Sequence, residues 1–169
     1  MTFNIRKANK NDSEQITRIH INSWKTTYSN FFSKELFINQ EKKFDESNVR
    51  IKKAIELNNE FHYIVYEENS TIKGFACYGN ARGFKFKDMG EVYSIYLEKK
   101  HQGYGIGTKL MVECFNLLKK EGFNKIIVRC LKGNTSEIFY QKLGGKLIDF
   151  ETNKVDSKNI IENIYLFNI

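Results

Sequence analysis

Glu91-Val92-Tyr93-Ser94-Ile95-Tyr96-Leu97-Glu98-Lys99-Lys100-His101-Gln102-Gly103-Tyr104-Gly105-Ile106-Gly107-Thr108-Lys109-Leu110 is the stretch whose reading decides the fold. Its first seven residues read as a strand. A short basic loop and three alternating glycines follow, then a helix to about Lys120 with Leu110, Met111, Cys114, Phe115, Leu117 and Leu118 on its apolar side. Glycine lets successive backbone N–H groups turn towards one point, and the helix start adds unpaired donors and a positive dipole end. Together these make a site for phosphate oxygens. Each such contact contributes on the order of a kcal/mol or less, so several must converge. A P-loop requires Gly-Lys-Ser/Thr, but Gly107 is followed by Thr108 and then Lys109. A dinucleotide fingerprint requires a third glycine after Gly105-Ile106-Gly107, and Leu110 stands there. The pattern [QR]-x-x-G-x-[GA] is matched in full by Gln102 to Gly107.

Working downstream, Gly122 ends the helix, and Lys125 to Leu131 reads as a continuous apolar strand of a sheet interior. Asn134 with Glu137 forms a capping box for a short helix through Leu143, stopped by Gly144-Gly145. Lys146–Phe150 and Ile160–Phe167 read as strands, with the polar run Glu151–Asn159 as their hairpin loop. Upstream, Phe3–Ala8 alternates as a first strand. Asp12 and Gln15 form a capping box for a helix to about Tyr28. A second helical region carries Leu36, Phe37, Val49, Ile51, Ala54, Ile55 and Leu57. Phe61–Glu67 and Thr71–Tyr78 form an antiparallel hairpin, and Arg82–Asp88 is a polar loop. The order predicts an α/β (α+β) protein: a mixed, mostly antiparallel sheet of about seven strands flanked by about four helices. No linker or repeat interrupts it, so residues 1–169 read as one domain.

Composition narrows the function. The chain has 169 residues, 41% of them hydrophobic, and a formal charge of +7. That is too apolar for disorder, and no run approaches the ~20 apolar residues of a membrane span. Met1–Lys10 lacks the apolar core of a signal peptide. Cys77, Cys114 and Cys130 are widely spaced within apolar segments, which predicts buried reduced thiols and a cytoplasmic location. His20, His62 and His101 do not cluster, so no metal site is expected. The basic balance suits nucleic acid, an anionic surface or a polyanionic small molecule, but no basic helix or ribonucleoprotein-type aromatic motif is present. No nucleic-acid and no membrane partner is therefore expected.

The Gln102–Gly107 loop resembles the pyrophosphate loop of the GCN5-related N-acetyltransferases, the GNAT family. Context strengthens the resemblance. Leu97 stands where the family carries an aliphatic residue, and Asn134-Thr135-Ser136-Glu137-Ile138-Phe139-Tyr140-Gln141-Lys142-Leu143-Gly144 is similar to its second signature. The element order matches from first strand to last, most specifically over residues 91–146. Two departures stand out. Lys99 replaces a frequent proline, and Gly145 replaces a frequent aromatic, which puts the packing beneath the last helix in question.

The resemblance implies an N-acetyltransferase in which a primary amine of a small molecule, such as an amino acid or polyamine, attacks acetyl-coenzyme A directly in a ternary complex. No metal is needed. It implies that backbone groups of Ile95, Tyr96 and Leu97 pair with the pantetheine arm, in an opening between splayed strands. The amides of Gly103, Tyr104, Gly105, Ile106, Gly107 and Thr108 would hold the pyrophosphate, with Gln102 steering the loop. Asn134 contacts pantetheine, caps its helix, or does both. Glu91 is either the proton acceptor for the amine or an ordinary strand-end charge. The Leu97 N–H would stabilise the oxyanion. Tyr140 is either the acid that protonates the departing thiolate, beside the cofactor, or a packed aromatic. Trp24 and Tyr28, four residues apart on one helix face, either line the acceptor pocket or pack on the sheet. Arg82, Lys85 and Lys87 meet the cofactor's 3′-phosphate, a nucleic acid or only solvent. Asp45, Glu46 and Asp88 could attract a cationic amine. A protein or peptide acetyltransferase and a non-catalytic coenzyme A sensor are the alternatives. A homodimer pairing through the last strands is possible by the same analogy.

Overall fold

The structure, a computed structural model, describes residues 3–169. Seven strands form one sheet: β1 (Phe3–Lys7), β2 (Phe61–Glu68), β3 (Thr71–Asn80), β4 (Gly90–Leu97), β5 (Lys125–Leu131), β6 (Lys146–Val155) and β7 (Lys158–Asn168). Their spatial order is β1-β2-β3-β4-β5-β7-β6. Every neighbouring pair is antiparallel except β4–β5, which is parallel and crosses over through helix α4 (Ile106–Lys120). The other helices are α1 (Ser13–Thr27), α2 (Lys34–Lys42), α3 (Phe44–Leu57) and α5 (Ser136–Lys142).

Period-two alternation sorts each central strand onto two faces. Ile64, Ala76, Val92, Ile126, Val128 and Phe167 bury against Leu110, Met111, Cys114 and Leu118 of α4, and Tyr140 of α5 joins them. On the opposite face Val65, Ile72 and Phe75 pack under Ile16 and Ile19 of α1 and Ile51 of α3. A third cluster on that face, Phe86 over Ile127 and Ile164, lies below the Arg82–Asp88 segment. That segment, expected to be a polar loop, contains a 3-10 turn (Phe84–Phe86) because Phe86 turns inward and is buried.

Four local expectations are corrected. Among the described residues there are five helices, because Lys43 leaves helical geometry and divides the second helical region into α2 and α3. Asp12 and Gln15 form no capping box. Asp12 accepts from the Asn9 N–H at 2.7 Å and pairs with Arg6, while Gln15 reaches across to accept from the Ile72 N–H at 3.1 Å. A long-range backbone donor on β3 thus outcompetes the local cap. Glu151–Asn159 is not a loop. β6 and β7 continue through it to a two-residue turn at Asp156 and Ser157, both with positive φ, of the kind whose twist matches a hairpin. The expected Asn134–Glu137 capping box is not formed either: the N-cap of α5 is Thr135, the Asn134 Oδ1 one residue before it accepts from the Ser136 N–H at 2.8 Å, and Glu137 reaches back to the Gly133 N–H rather than to Asn134. The Gly145 departure also has a physical account. The Phe167 ring occupies the space where a side chain would stand, 2.6 Å from an ideal Cβ, and supplies the aromatic from β7.

Candidate active site

β4 and β5 pair only at Gly90–Ile126 and Glu91–Ile127 and then separate. A bulge supports the divergence: Val92 opposes Tyr78 and Ser94 opposes Cys77, which leaves Tyr93 as the extra residue. Beyond it, one edge of β4 has no strand partner. The Glu98 N–H bonds Lys73 of β3, so the Leu97 N–H, one residue earlier, faces the opened side. The Leu97 carbonyl faces that way too, accepting from Gln102 Nε2 at 3.2 Å and Ser23 Oγ at 3.4 Å. Ile95 and Leu97 therefore offer backbone groups to the opening, whereas those of Tyr96 face β3. Gln102 ties the loop to the strand end.

The glycine loop is built as its spacing requires. Gly103 (φ 84°) and Gly105 (φ 76°) are left-handed, and an added Cβ would meet nothing within 4 Å at either. They are glycine for backbone conformation, not for lack of space. Gly105 caps α4, and Tyr104 is exposed. The N–H groups of Ile106, Gly107 and Thr108 in the first turn of α4 have no partner within the helix. This geometry and the edge of β4 fit a diphosphate joined to an extended amide-bearing arm.

On the α1 and α3 face, the opening leads into a cavity of about 530 Å³. Its walls include Trp24, Tyr28 and Phe32 from α1 and the loop after it, Tyr63 and Phe75 from the sheet, and Tyr96. Trp24 and Tyr28 thus line the cavity and also touch each other at 4.8 Å between centroids. The β6–β7 hairpin contributes Asn153, Val155, Ile160 and Glu162 to the same cavity. Its tip is tied to the loop after α1: Lys158 Nζ donates to the Phe31 carbonyl at 2.9 Å, and Ser33 Oγ donates to Asp156 at 3.1 Å. Asn153 and Val155 of this wall fall in Glu151–Asn159, which the sequence presents as a loop, while Ile160 and Glu162 fall in the expected last strand and carry no motif.

Two tyrosines meet on the cavity wall, and a third is buried on α5. The Tyr28 and Tyr96 hydroxyls are 3.4 Å apart. Tyr140, on α5, is buried, with its ring beside Phe139 and Tyr165. Burial raises all three phenols above their ordinary value, Tyr140 with further help from Cys130 and Tyr28. They stay protonated as donors across neutral pH. Phe139 packs against the core and lies beneath Gly107. The three cysteines are free and buried, and burial pushes Cys77 and Cys130 up to about 12, so neither is a poised thiolate.

Glu91 is not where a proton acceptor for the cavity would stand. It is completely buried, and four nitrogens converge on it: the Arg82 N–H at 2.9 Å, Arg82 Nε, Arg82 Nη2 at 2.5 Å and Arg129 Nη1 at 2.6 Å. It is absent from the cavity wall, while both arginines are part of it. The basic cluster expected in this loop disperses: Arg82 turns to Glu91, Lys85 pairs with Asp149, and Lys87 lies over the Phe84 ring. Asp45, Glu46 and Asp88 are not cavity residues either; the carboxylate on the wall is Glu162, which accepts from Asn153.

His20 is a second residue the sequence did not single out. It lies on the cavity wall among Trp24, Phe75 and Tyr96, and burial, aided by Arg50, lowers its imidazole to about 4. A free imidazole titrates near 6.5. The unfolded chain thus binds a proton at this site before the native chain does. The site's contribution to stability is full above pH 6.5 and is lost as pH falls towards 4. The loss is on the order of 2 kcal/mol once partial exposure is allowed for. Denaturant midpoints measured at pH 7, 5.5 and 4 should show this step in the parent chain and lack it in His20→Gln. Asp12 and Glu137, both held below their ordinary values, act in a lower window.

Among the described residues no metal-ligating cluster occurs, and no helix is long and apolar enough to cross a membrane. The sequence profile of the acetyltransferase (GNAT) family matches residues 21–145. The uncharacterised N-acetyltransferase YuaI of Bacillus subtilis is 29% identical over 139 residues, which covers 81% of this chain and 76% of that one. Two solved structures share the fold. The PaiA N-acetyltransferase of Thermoplasma acidophilum, in complex with coenzyme A, superposes with a TM-score of 0.73 at 21% identity, covering 96% of this chain and 98% of its own. YncA of Salmonella typhimurium, solved with its cofactor acetyl-CoA, superposes with a TM-score of 0.73 at 20% identity, covering 99% and 94%.

Proposed function

The chain belongs to the acetyltransferase (GNAT) family, and from that premise we propose that it transfers an acetyl group from acetyl-coenzyme A to the primary amine of a small molecule. We read the whole chain as one such domain. The observation that carries the small-molecule reading is the walled cavity. The β6–β7 hairpin and the loop after α1 both line it and are hydrogen-bonded to each other, which joins two of its walls where a peptide substrate would need an open groove.

Acetyl-coenzyme A supplies the thioester carbonyl that the amine attacks. The chain's part is to hold and orient. The N–H groups of the Gly103–Thr108 loop and the start of α4 bind the diphosphate, and the open edge of β4 at Ile95 and Leu97 pairs with the extended arm. The Leu97 N–H is directed at the position where negative charge develops on the carbonyl oxygen. Tyr140 donates a proton to the departing sulfur. Glu162 is the cavity carboxylate nearest in role to a proton acceptor. It attracts the ammonium form and takes up its proton, directly or through water.

Left-handed backbone at Gly105 gives a test of the cofactor half. Gly105→Val places a β-branched residue at φ 76° and distorts the cradle. The KM for acetyl-coenzyme A should rise about 10- to 100-fold with kcat at saturation little changed. Isothermal titration with coenzyme A and a thiol-release assay read both quantities. A parent chain that shows no heat with coenzyme A ends the proposal. Transfer to lysine-bearing peptides but to no free amine ends its small-molecule half.

A further inference from the structure

Resting on the acetyl-transfer reading above, we propose that the acceptor is an apolar or aromatic amine that also carries a carboxylate, an α-amino acid or close analogue, and that Arg82 binds that carboxylate. Arg82 is a preorganised receptor. One edge of its guanidinium, Nε and Nη2, is given to the buried Glu91 carboxylate. Its plane lies over the Tyr93 ring, 5.1 Å from the centroid. Its backbone is held as well: its N–H donates to Glu91, and its carbonyl accepts from Arg129 Nη2 at 2.9 Å. None of these bonds uses Nη1, and the side chain keeps 56% of its surface exposed while lining the cavity. A guanidinium pinned on one edge and stacked on one face loses little freedom when a carboxylate meets its free edge.

Charge balance selects a zwitterion over a polyamine. Three arginines, Arg50, Arg82 and Arg129, stand on the cavity wall with one carboxylate, Glu162. Glu91 and Glu151 neutralise Arg129 and Arg82 from beneath and beside the wall. A polyamine would add several positive charges next to three guanidiniums. A zwitterion adds none and offers its carboxylate to Arg82 and its ammonium to Glu162. Much of the remaining wall is aromatic (Trp24, Phe32, Tyr63, Phe75 and Tyr96), which suits an apolar side chain branching away from the two charged groups, and the volume lies within the range of small-molecule sites.

The test uses matched pairs that differ only in the carboxylate: L-phenylalanine and phenethylamine, L-tryptophan and tryptamine, L-leucine and isoamylamine, with spermidine as a polycation. Coenzyme A release gives kcat/KM for each in the parent chain, Arg82→Gln and Arg82→Lys. In at least one pair the parent should prefer the acid by about 100-fold, the magnitude of one charge-assisted bidentate contact. Arg82→Gln should reduce that ratio to within about threefold, chiefly through KM, and Arg82→Lys should leave an intermediate ratio because it keeps charge without the fork. Lys at this position also keeps Glu91 paired, so one variant reports even if Gln loosens the fold. Equal or better use of the decarboxylated amine in every pair overturns the proposal, as does a ratio that survives both substitutions or preferential use of spermidine. Failure to acetylate any acceptor of the panel overturns it too. In that case an intact titration with coenzyme A shows that the acetyl-coenzyme A reading stands and only the acceptor class has failed.

Discussion

Replacing Tyr140 by phenylalanine is expected to lower kcat by about 10²- to 10³-fold while leaving the KM for acetyl-coenzyme A within about threefold, the range for loss of a positioned general acid. The substitution removes one oxygen and retains the ring that packs beside Phe139 and Tyr165, so the fold has no cavity to absorb. The buried phenol titrates well above neutral pH, so the deficit should be the same from pH 6 to pH 9. That flatness matters. A defect that came from misplacing a neighbouring ionisable group would vary with pH as that group titrates. Thiol-release kinetics on the parent and variant across this range make the measurement. A kcat within threefold of the parent would return Tyr140 to the role of packed aromatic.

The parts of the fold that sequence made legible are those fixed by local physics. The glycine loop announces itself because positive φ at Gly103 and Gly105 demands glycine, and the helix after it follows from six apolar residues on one side. β5 was legible to the residue. What stayed hidden depends on distant partners. Gln15 abandoned a local cap for a strand N–H of β3, fifty-seven positions away. The outer half of the β6–β7 hairpin, Glu151–Asn159, reads as a loop although its two ends read as strands, because there the ribbon extends beyond β5 and its solvent-facing residues need no apolar alternation. At the site, Trp24 and Tyr28 could be read from their helical spacing, whereas His20 and Glu162 carry no motif. Arg129 did leave a signal. It is the one charge inside a strand otherwise read as continuously apolar, and a buried charge demands a partner. Pairing it with the carboxylate of an adjacent strand would have pointed to Glu91 and away from solvent-facing base chemistry.

That pairing sets the second large effect. Glu91→Ala should cost about 3 to 5 kcal/mol, because it leaves Arg129, with a side chain only 6% exposed, with Glu151 as its one remaining carboxylate and facing an unpaired Arg82. For a chain of this size that corresponds to a fall in Tm of roughly 6 to 20 °C. Glu91→Gln separates the two roles open to this residue. As a proton acceptor, Glu91 would be irreplaceable by an amide, and kcat would collapse in a well-folded variant. As the anchor of two guanidiniums, it is partly replaced by an amide oxygen, which still accepts hydrogen bonds but carries no charge. The anchor role predicts kcat within about fivefold of the parent, a KM for the acceptor raised at least about tenfold as Arg82 loosens, and a partial loss of stability. The geometry favours the anchor: a carboxylate that already accepts from four nitrogens and is wholly buried has no open face towards an amine. Intact stability with an abolished kcat in Glu91→Gln would reverse that assignment and make the arginines the apparatus of a buried base.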